Sequence, residues 1–218
     1  MKKLFLAASI TSLMLTACGT YDETVEQNNQ QVAEKKDQHK VTRKDGVTYV
    51  DGHLFVNKKV GLPSEYAPGE NVKARMQLDR MIQESRQDDV NLVFRSGFRS
   101  YETQQQLYSS YVAKDGQAAA DKYSAKPGHS EHQSGLAFDV GSANASDDFK
   151  TSFVKTPEGQ WVKDHAHTYG FIIRYPEGKE AITGYQYEPW HLRYVGKDLA
   201  QTIHNEETTL EEYFEFGQ

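Results

Sequence analysis

Apolar and polar positions change rhythm several times along this chain, and each change marks an element. Val47 to Val50 and His53 to Val56 are β-rich runs on either side of Asp51-Gly52, a dipeptide that closes a tight hairpin. Ala74, Leu78, Met81, Ile82 and Ser85 recur at helical spacing and predict a helix from about Asn71 to Gln87. Asn91 to Arg95 is a short apolar run that reads as a buried strand. Leu107, Tyr108, Tyr111 and Val112 place a second helix after Tyr101, and Gln117 to Tyr123 a short third. Leu136 to Gly141 alternates as a strand does, whereas Trp161, Val162, His165 and Tyr169 return to helical spacing. Phe171–Arg174 and His191–Val195 read as the last two strands, and Leu210–Phe216 as a closing helix with an acidic surface. Strands and helices in this mixture predict an α+β fold: a single domain with a small antiparallel sheet and flanking helices.

The first residues follow another pattern. Lys2 and Lys3 precede an apolar run from Leu4 to Leu15, which is shorter than the about 20 residues of a membrane span. This is the form of a secretory signal, expected over residues 1–17. Leu15-Thr16-Ala17-Cys18 looks like a bacterial lipobox, after which Cys18 carries lipid and becomes the first mature residue. Cys18 is the only cysteine, so the domain has no internal disulfide and relies on core packing or a metal. Residues 18–43 are polar and read as a flexible tether, because such a composition buries too little apolar surface to offset the entropy of ordering. The folded domain is expected over 44–218. A formal net charge of −6 gives no sign of nucleic-acid binding, and a monomer is expected.

Two short stretches concentrate chemistry. Ser130-Glu131-His132-Gln133-Ser134-Gly135-Leu136-Ala137-Phe138-Asp139 and Glu188-Pro189-Trp190-His191 offer His132, Asp139 and His191 as three ligands, a set that suits zinc and leaves a fourth position for water. In a strand, Ala137 and Asp139 face one side while Phe138 and Val140 face the core. Small Ala137 leaves room beside Asp139, and Gly135 permits the bend that returns His132 toward it. Glu188 lies three residues before His191, a carboxylate placed to take a proton, and Pro189 holds it extended.

In this order the stretches resemble the motifs of the VanY-type D-alanyl-D-alanine carboxypeptidases and their LdcB-like L,D-carboxypeptidase relatives. Ser130-x-His132-x-x-Gly135-x-Ala137-x-Asp139 fills the first motif and Glu188-x-x-His191 the second, over about Asn91 to Gly196. Ser96-Gly97-Phe98-Arg99-Ser100 is similar to the family segment whose arginine sits over the metal. The resemblance implies a zinc cleft, Zn2+ as cofactor, peptidoglycan stem peptides as substrate, and membrane attachment through Cys18 on the extracytoplasmic face. It makes Glu188 the base and Arg99 the oxyanion or carboxylate partner, since a guanidinium serves both. Gln104 and Ser130 are its further candidates for the peptide end. L,D-cleavage of tetrapeptides is favoured; D,D-cleavage of pentapeptides, an endopeptidase and a non-catalytic binding module are the alternatives. An intact Glu188 with Arg99 argues against the last, because a binder needs neither.

Other residues have plainer readings. Ser100 is expected to cap a helix and Arg95 to form a surface ion pair. His165 and His167 fall in a helical pattern that makes them diverge, and His53 and His204 lack partners at ligand spacing. His129 lies outside the motif. Tyr185, Tyr187 and Trp190 are open between groove and core.

Overall fold

Two antiparallel sheets are joined by a helix, and the larger of them carries the cleft. The structure is a computed structural model that describes residues 38–218. The smaller sheet is a meander of β1 (Val41–Lys44), β2 (Val47–Val50) and β3 (His53–Phe55). Its turns are Asp45-Gly46 and Asp51-Gly52, all four residues having positive φ, the conformation a right-twisted two-residue hairpin requires. The larger sheet contains β4 (Leu92–Ser96), β5 (Ala137–Ser142), β6 (Phe171–Ile173) and β7 (His191–Tyr194), in the order β4-β5-β7-β6.

The helices are α1 (Val72–Ser85), α2 (Tyr101–Asp115), α3 (Gln117–Tyr123), α4 (Pro157–His165), α5 (Glu180–Thr183), α6 (Lys197–Asn205) and α7 (Leu210–Tyr213). Their starts follow capping chemistry. Asn71 accepts from the Ala74 amide, Ser100 from Thr103 and Thr156 from Gly159, and Thr209 with Glu212 completes a capping box. Ser100 thus has the capping role expected of it.

Alternation along the central strands divides the larger sheet into two faces. Phe138 and Val140 of β5 and Leu192 and Tyr194 of β7 join Leu78, Met81, Phe153, Trp161 and Phe171 in the main core. The opposite face carries Ala137 and Asp139 against Arg193 and His191, which are direct cross-strand partners. A second cluster packs α6 and α7 on Val50, Phe55 and Ile172 through Leu199, Ala200, Ile203, Leu210 and Phe214.

Several expectations change. Val41–Arg43, expected as the end of the tether, belongs to β1; its side chains are all exposed, so no apolar pattern marks it. Tether residues 18–37, Cys18 among them, and the signal segment lie outside the described residues. Helix α6 is unannounced in the sequence reading, although Leu199, Ala200 and Ile203 form its buried stripe. The helical pattern of 161–169 is broken, α4 giving way to a 3-10 turn at Ala166–Tyr169. Helix α2 forms as expected, but among its residues only Gln104 is fully buried. Leu107 and Tyr111 instead line the cleft.

Candidate metal centre and catalytic cleft

His132, Asp139 and His191 offer three ligand atoms that lie within 4.8 Å of one another, and all three residues are buried. Sheet register accounts for two of them. Asp139 of β5 is the cross-strand partner of His191 of β7, so both side chains rise from one face at adjacent positions. The third arrives by a bend. A 3-10 turn at Glu131–Ser134 ends at Gly135, whose φ is 72° and whose Hα side abuts the Gly69 carbonyl so closely that any Cβ would overlap it. His132 is thereby folded back over the sheet, and its carbonyl accepts from the Arg99 amide at 3.2 Å.

Hydrogen bonds fix which imidazole nitrogen faces the centre. His132 Nδ1 donates to the Gly97 carbonyl at 2.7 Å and leaves Nε2 directed at Asp139 Oδ2, 3.2 Å away. His191 Nε2 donates to Glu131 Oε2 at 3.4 Å and turns Nδ1 to Asp139 Oδ1 at 3.0 Å. Each ring therefore has one nitrogen anchored outside and one turned inward, the arrangement of metal-binding histidines with outer-shell partners. Burial pushes the His132 imidazole below its ordinary pKa. Burial also opposes charge on His191, but hydrogen bonds to Asp139 and Glu131 outweigh it and raise its pKa to about 9. For Asp139, burial is likewise overcome by the two imidazoles, which hold its carboxyl well below the usual range.

Glu188 stands on the loop before β7. Its amide donates to the Tyr175 carbonyl and its carbonyl accepts from the His191 amide, so the Glu-Pro-Trp-His turn fixes Glu188 and His191 together. Burial pushes the Glu188 carboxyl up to about 8, Asp139 adding to the shift while His191, Arg99 and Lys58 oppose it.

The cleft around these groups has a volume of about 500 Å³. Arg99 and Gln104 line one wall, with Ser130 beside His132. Arg99 donates to Gln104 Oε1 at 2.8 Å and to Ser96 Oγ at 3.3 Å; Gln104 donates in turn to the Ala125 carbonyl at 2.7 Å. Gln104 is thus a buried brace for the Arg99 guanidinium. Tyr185 and Trp190 line the cleft, Trp190 also joining the core. Tyr187 faces a separate groove with His167 and His204. His165 stacks on Trp161 and His167 on His204, so the two diverge as expected. His129 donates to the Asn57 carbonyl, away from the cluster. Arg95 is the extra residue of a bulge where β4 meets β5, and it is half-buried against Asp148.

A second group of charges was not foreseen. Glu131 accepts through Oε1 from Arg174 at 2.8 Å and Arg193 at 2.6 Å, besides holding His191. Glu211 of α7 grips Arg174 in two-point fashion at 2.7 and 2.8 Å and accepts from Asn57 at 3.0 Å. Arg193 also reaches the Leu54 carbonyl of β3. Burial works against the Glu131 charge, but Arg174, Arg193 and His191 hold its carboxyl well below the usual range. Small Ala137 faces Arg193, so the room it leaves serves this network rather than the metal centre. The one sequence signal was Arg193 two residues after His191, which places both on the same face of a strand.

Comparison with known proteins agrees with this geometry. Residues 70–197, more than half of the chain, match the family model described as VanY, D-alanyl-D-alanine carboxypeptidase. The chain is 41% identical over 180 residues to the putative carboxypeptidase YodJ of Bacillus subtilis, a match covering 74% of this chain and 66% of that one. It thus spans somewhat less than two thirds of that relative's length. Among solved structures, the LdcB LD-carboxypeptidase is 43% identical with a TM-score of 0.74, covering 83% of this chain and 97% of that one. A VanY D,D-pentapeptidase from the VanB-type resistance cassette, solved in complex with Zn(II), is 32% identical with a TM-score of 0.63, covering 73% and 96%. By the family match and by its site, this chain belongs to the VanY D-alanyl-D-alanine carboxypeptidase family.

Proposed function

We propose that this protein is a zinc-dependent carboxypeptidase that removes the terminal D-alanine from peptidoglycan stem peptides, preferring L,D-cleavage of tetrapeptides. The observation that carries this reading is the His132–Asp139–His191 cluster sharing one cleft with a buried Glu188 and a braced Arg99. The cluster fits zinc by its donor set: two imidazoles already anchored through their outer nitrogens and one carboxylate between them. When bound there, zinc supplies an electrophile for the peptide carbonyl and makes a water acidic near neutrality.

The chain's own groups do the rest. Glu188 takes the proton of the attacking water and returns it to the leaving amine, a role suited to a buried carboxyl that shares the cleft with the His132, Asp139 and His191 cluster. Arg99, held by Gln104 and Ser96, presents its guanidinium to the developing oxyanion or to the terminal carboxylate. Gln104 acts on the peptide end through Arg99, and Ser130 adds a hydroxyl to the wall of the cleft. The greater likeness to LdcB than to the D,D-pentapeptidase supports L,D-cleavage. The pattern of residues 1–18 supports export, lipid attachment at Cys18 and a monomer tethered at the outer face of a bacterial membrane.

Incubating the zinc-loaded protein with defined tetra- and pentapeptide stems, and identifying the released amino acid by mass spectrometry, tests the reaction. D-alanine from the tetrapeptide is expected. Release from the pentapeptide alone would make the enzyme a D,D-carboxypeptidase, and tight binding without release would make it a binding module. Cys18→Ser is expected to abolish lipid labelling and free the protein from membranes; an unmodified mature N-terminus elsewhere overturns the anchor.

A further inference from the structure

Phe149 is a large hydrophobic residue that is 52% exposed, and it stands on the rim of the cleft. Its ring meets Trp190 edge to face, with centroids 6.2 Å apart and an interplanar angle of 74°. Water contact on so large a ring is unfavourable, and so is its backbone: φ at Phe149 is 56°, a left-handed conformation that bulky residues seldom adopt. The neighbouring side chain holds it there. Asp148 pairs with Arg95 through one oxygen and accepts from the Ser142 amide at 2.9 Å through the other. Arg95 closes the ring of contacts by donating to the Ser142 carbonyl at 2.5 Å. Gly141 makes space for this anchor, since a Cβ there would overlap the Asp148 carboxylate. A loop fastened at Asp148 thus presents an exposed ring at the mouth of the reactive cleft.

We propose that Phe149, backed by Trp190, is a specificity ledge for the aliphatic side chain on the acyl side of the scissile bond. The inference rests on the carboxypeptidase reading above. Arg99 and Gln104 lie on the wall formed by the segment after β4 and by α2, and in its carboxylate-binding role Arg99 places the leaving residue against that wall. The acyl portion then crosses the remainder of the cleft, where Phe149 and Trp190 stand. L,D-cleavage of a tetrapeptide presents there an L-diamino acid with a chain of methylenes; D,D-cleavage presents only a methyl group. An aromatic face rewards the first and offers little to the second. The ledge therefore favours stems whose residue before the cut carries a long aliphatic chain with a polar end that stays in water.

Two synthetic tetrapeptides ending in D-alanine, with L-lysine or L-alanine at the third position, test this on the full-length zinc-loaded protein. The ratio of kcat/KM between them measures the preference for the long chain. Phe149→Ala is expected to lower that ratio about three- to tenfold, the scale of one aromatic contact, mainly through KM. Phe149→Tyr, which keeps the ring, should retain it. A ratio within twofold of the parent in Phe149→Ala, or an equal loss in Phe149→Tyr, overturns the ledge. Should the parent cleave neither peptide, the carboxypeptidase reading fails separately. Calorimetric binding of the corresponding lysine- and alanine-ending tripeptides then decides the ledge by the same ratio.

Discussion

Two buried polar groups lie side by side in this molecule and are built from neighbouring residues, yet they differ in one respect. Glu131 and His132 are consecutive, and His191 and Arg193 share a strand face. The network of Glu131, Arg174, Arg193 and Glu211 is closed: each carboxylate meets a guanidinium at 2.6–2.8 Å, and its two acids balance its two bases. The centre of His132, Asp139, His191 and Glu188 is open: Glu188 is buried without a counter-ion bonded to it among the described residues, and its carboxyl is pushed up to about 8. Closure makes a frame, since charges that are mutually satisfied resist being moved. Openness makes a reactive site, since an unsatisfied group keeps a free energy to release when a cation or substrate arrives. Glu131 belongs to both, framing through Oε1 and orienting His191 through Oε2.

Breaking the closed group should cost most. Glu131→Ala takes from Arg193 its only carboxylate partner among the described residues and leaves Arg174 to Glu211 alone, and is expected to destabilise the domain by about 3–5 kcal/mol in urea unfolding. Glu131→Gln, if it folds, should bind zinc about 10- to 100-fold more weakly in chelator competition, because His191 loses its anionic partner. Wild-type zinc affinity in that variant would separate frame from centre.

Disturbing the open group should spare the fold and stop the chemistry. Glu188→Gln is expected to unfold no more easily than the parent, since it removes a carboxyl whose charge burial opposes, and to keep zinc content near one per chain while turnover falls at least about a hundredfold. Stem-peptide hydrolysis at the parental rate would remove Glu188 from the mechanism. Arg99→Ala likewise keeps zinc; loss in kcat points to the oxyanion, loss in KM to the carboxylate.

Acidity offers a subtler contrast. His191 and Glu188 both prefer their protonated forms in the metal-free fold, with pKa values near 9 and 8. The contribution of Glu188 is full below about pH 4.5 and lost by about 8, and that of His191 full below about 6.5 and lost by about 9, so the melting temperature of metal-free protein should fall between about pH 4.5 and 9 from these groups. Zinc competes with the proton on His191, so its affinity should weaken by up to about tenfold per unit as pH falls from 8 to 6. A flat affinity across that range would mean that His191 Nδ1 is not a ligand. The smallest effect is expected for Gln104→Ala, which unbraces Arg99 and should cost about 1 kcal/mol in kcat/KM without altering zinc content.

The same contrast explains what the sequence disclosed. The open centre was legible because its residues sit in two short motifs whose spacing follows from strand alternation and one glycine bend. The closed frame was not, because Arg174 and Glu211 lie on different elements, and a charged residue in isolation reads as a solvated surface group. Elements behaved similarly. The Asp51-Gly52 hairpin and the α1 stripe announced themselves through local chemistry. Strand β1 did not, although Asp45-Gly46 carried the same turn signal; its four exposed residues gave no alternation to weigh against the polar stretch before it. Helix α6 had its signal in Leu199, Ala200 and Ile203, three residues in a run too short to stand out beside the motif preceding it.

Glu211 gives the frame an order of assembly. The carboxylate that closes it lies some twenty residues beyond His191, the last of the candidate ligands in chain order. A chain that contains His132, Asp139 and His191 but lacks α7 leaves Arg174 without its two-point partner in the interior, so its candidate metal pocket has no rigid floor. The candidate site therefore takes its shape only once α7 docks. A chain cut short between the two sheets' completion and that helix should hold every ligand and still fail to shape the site.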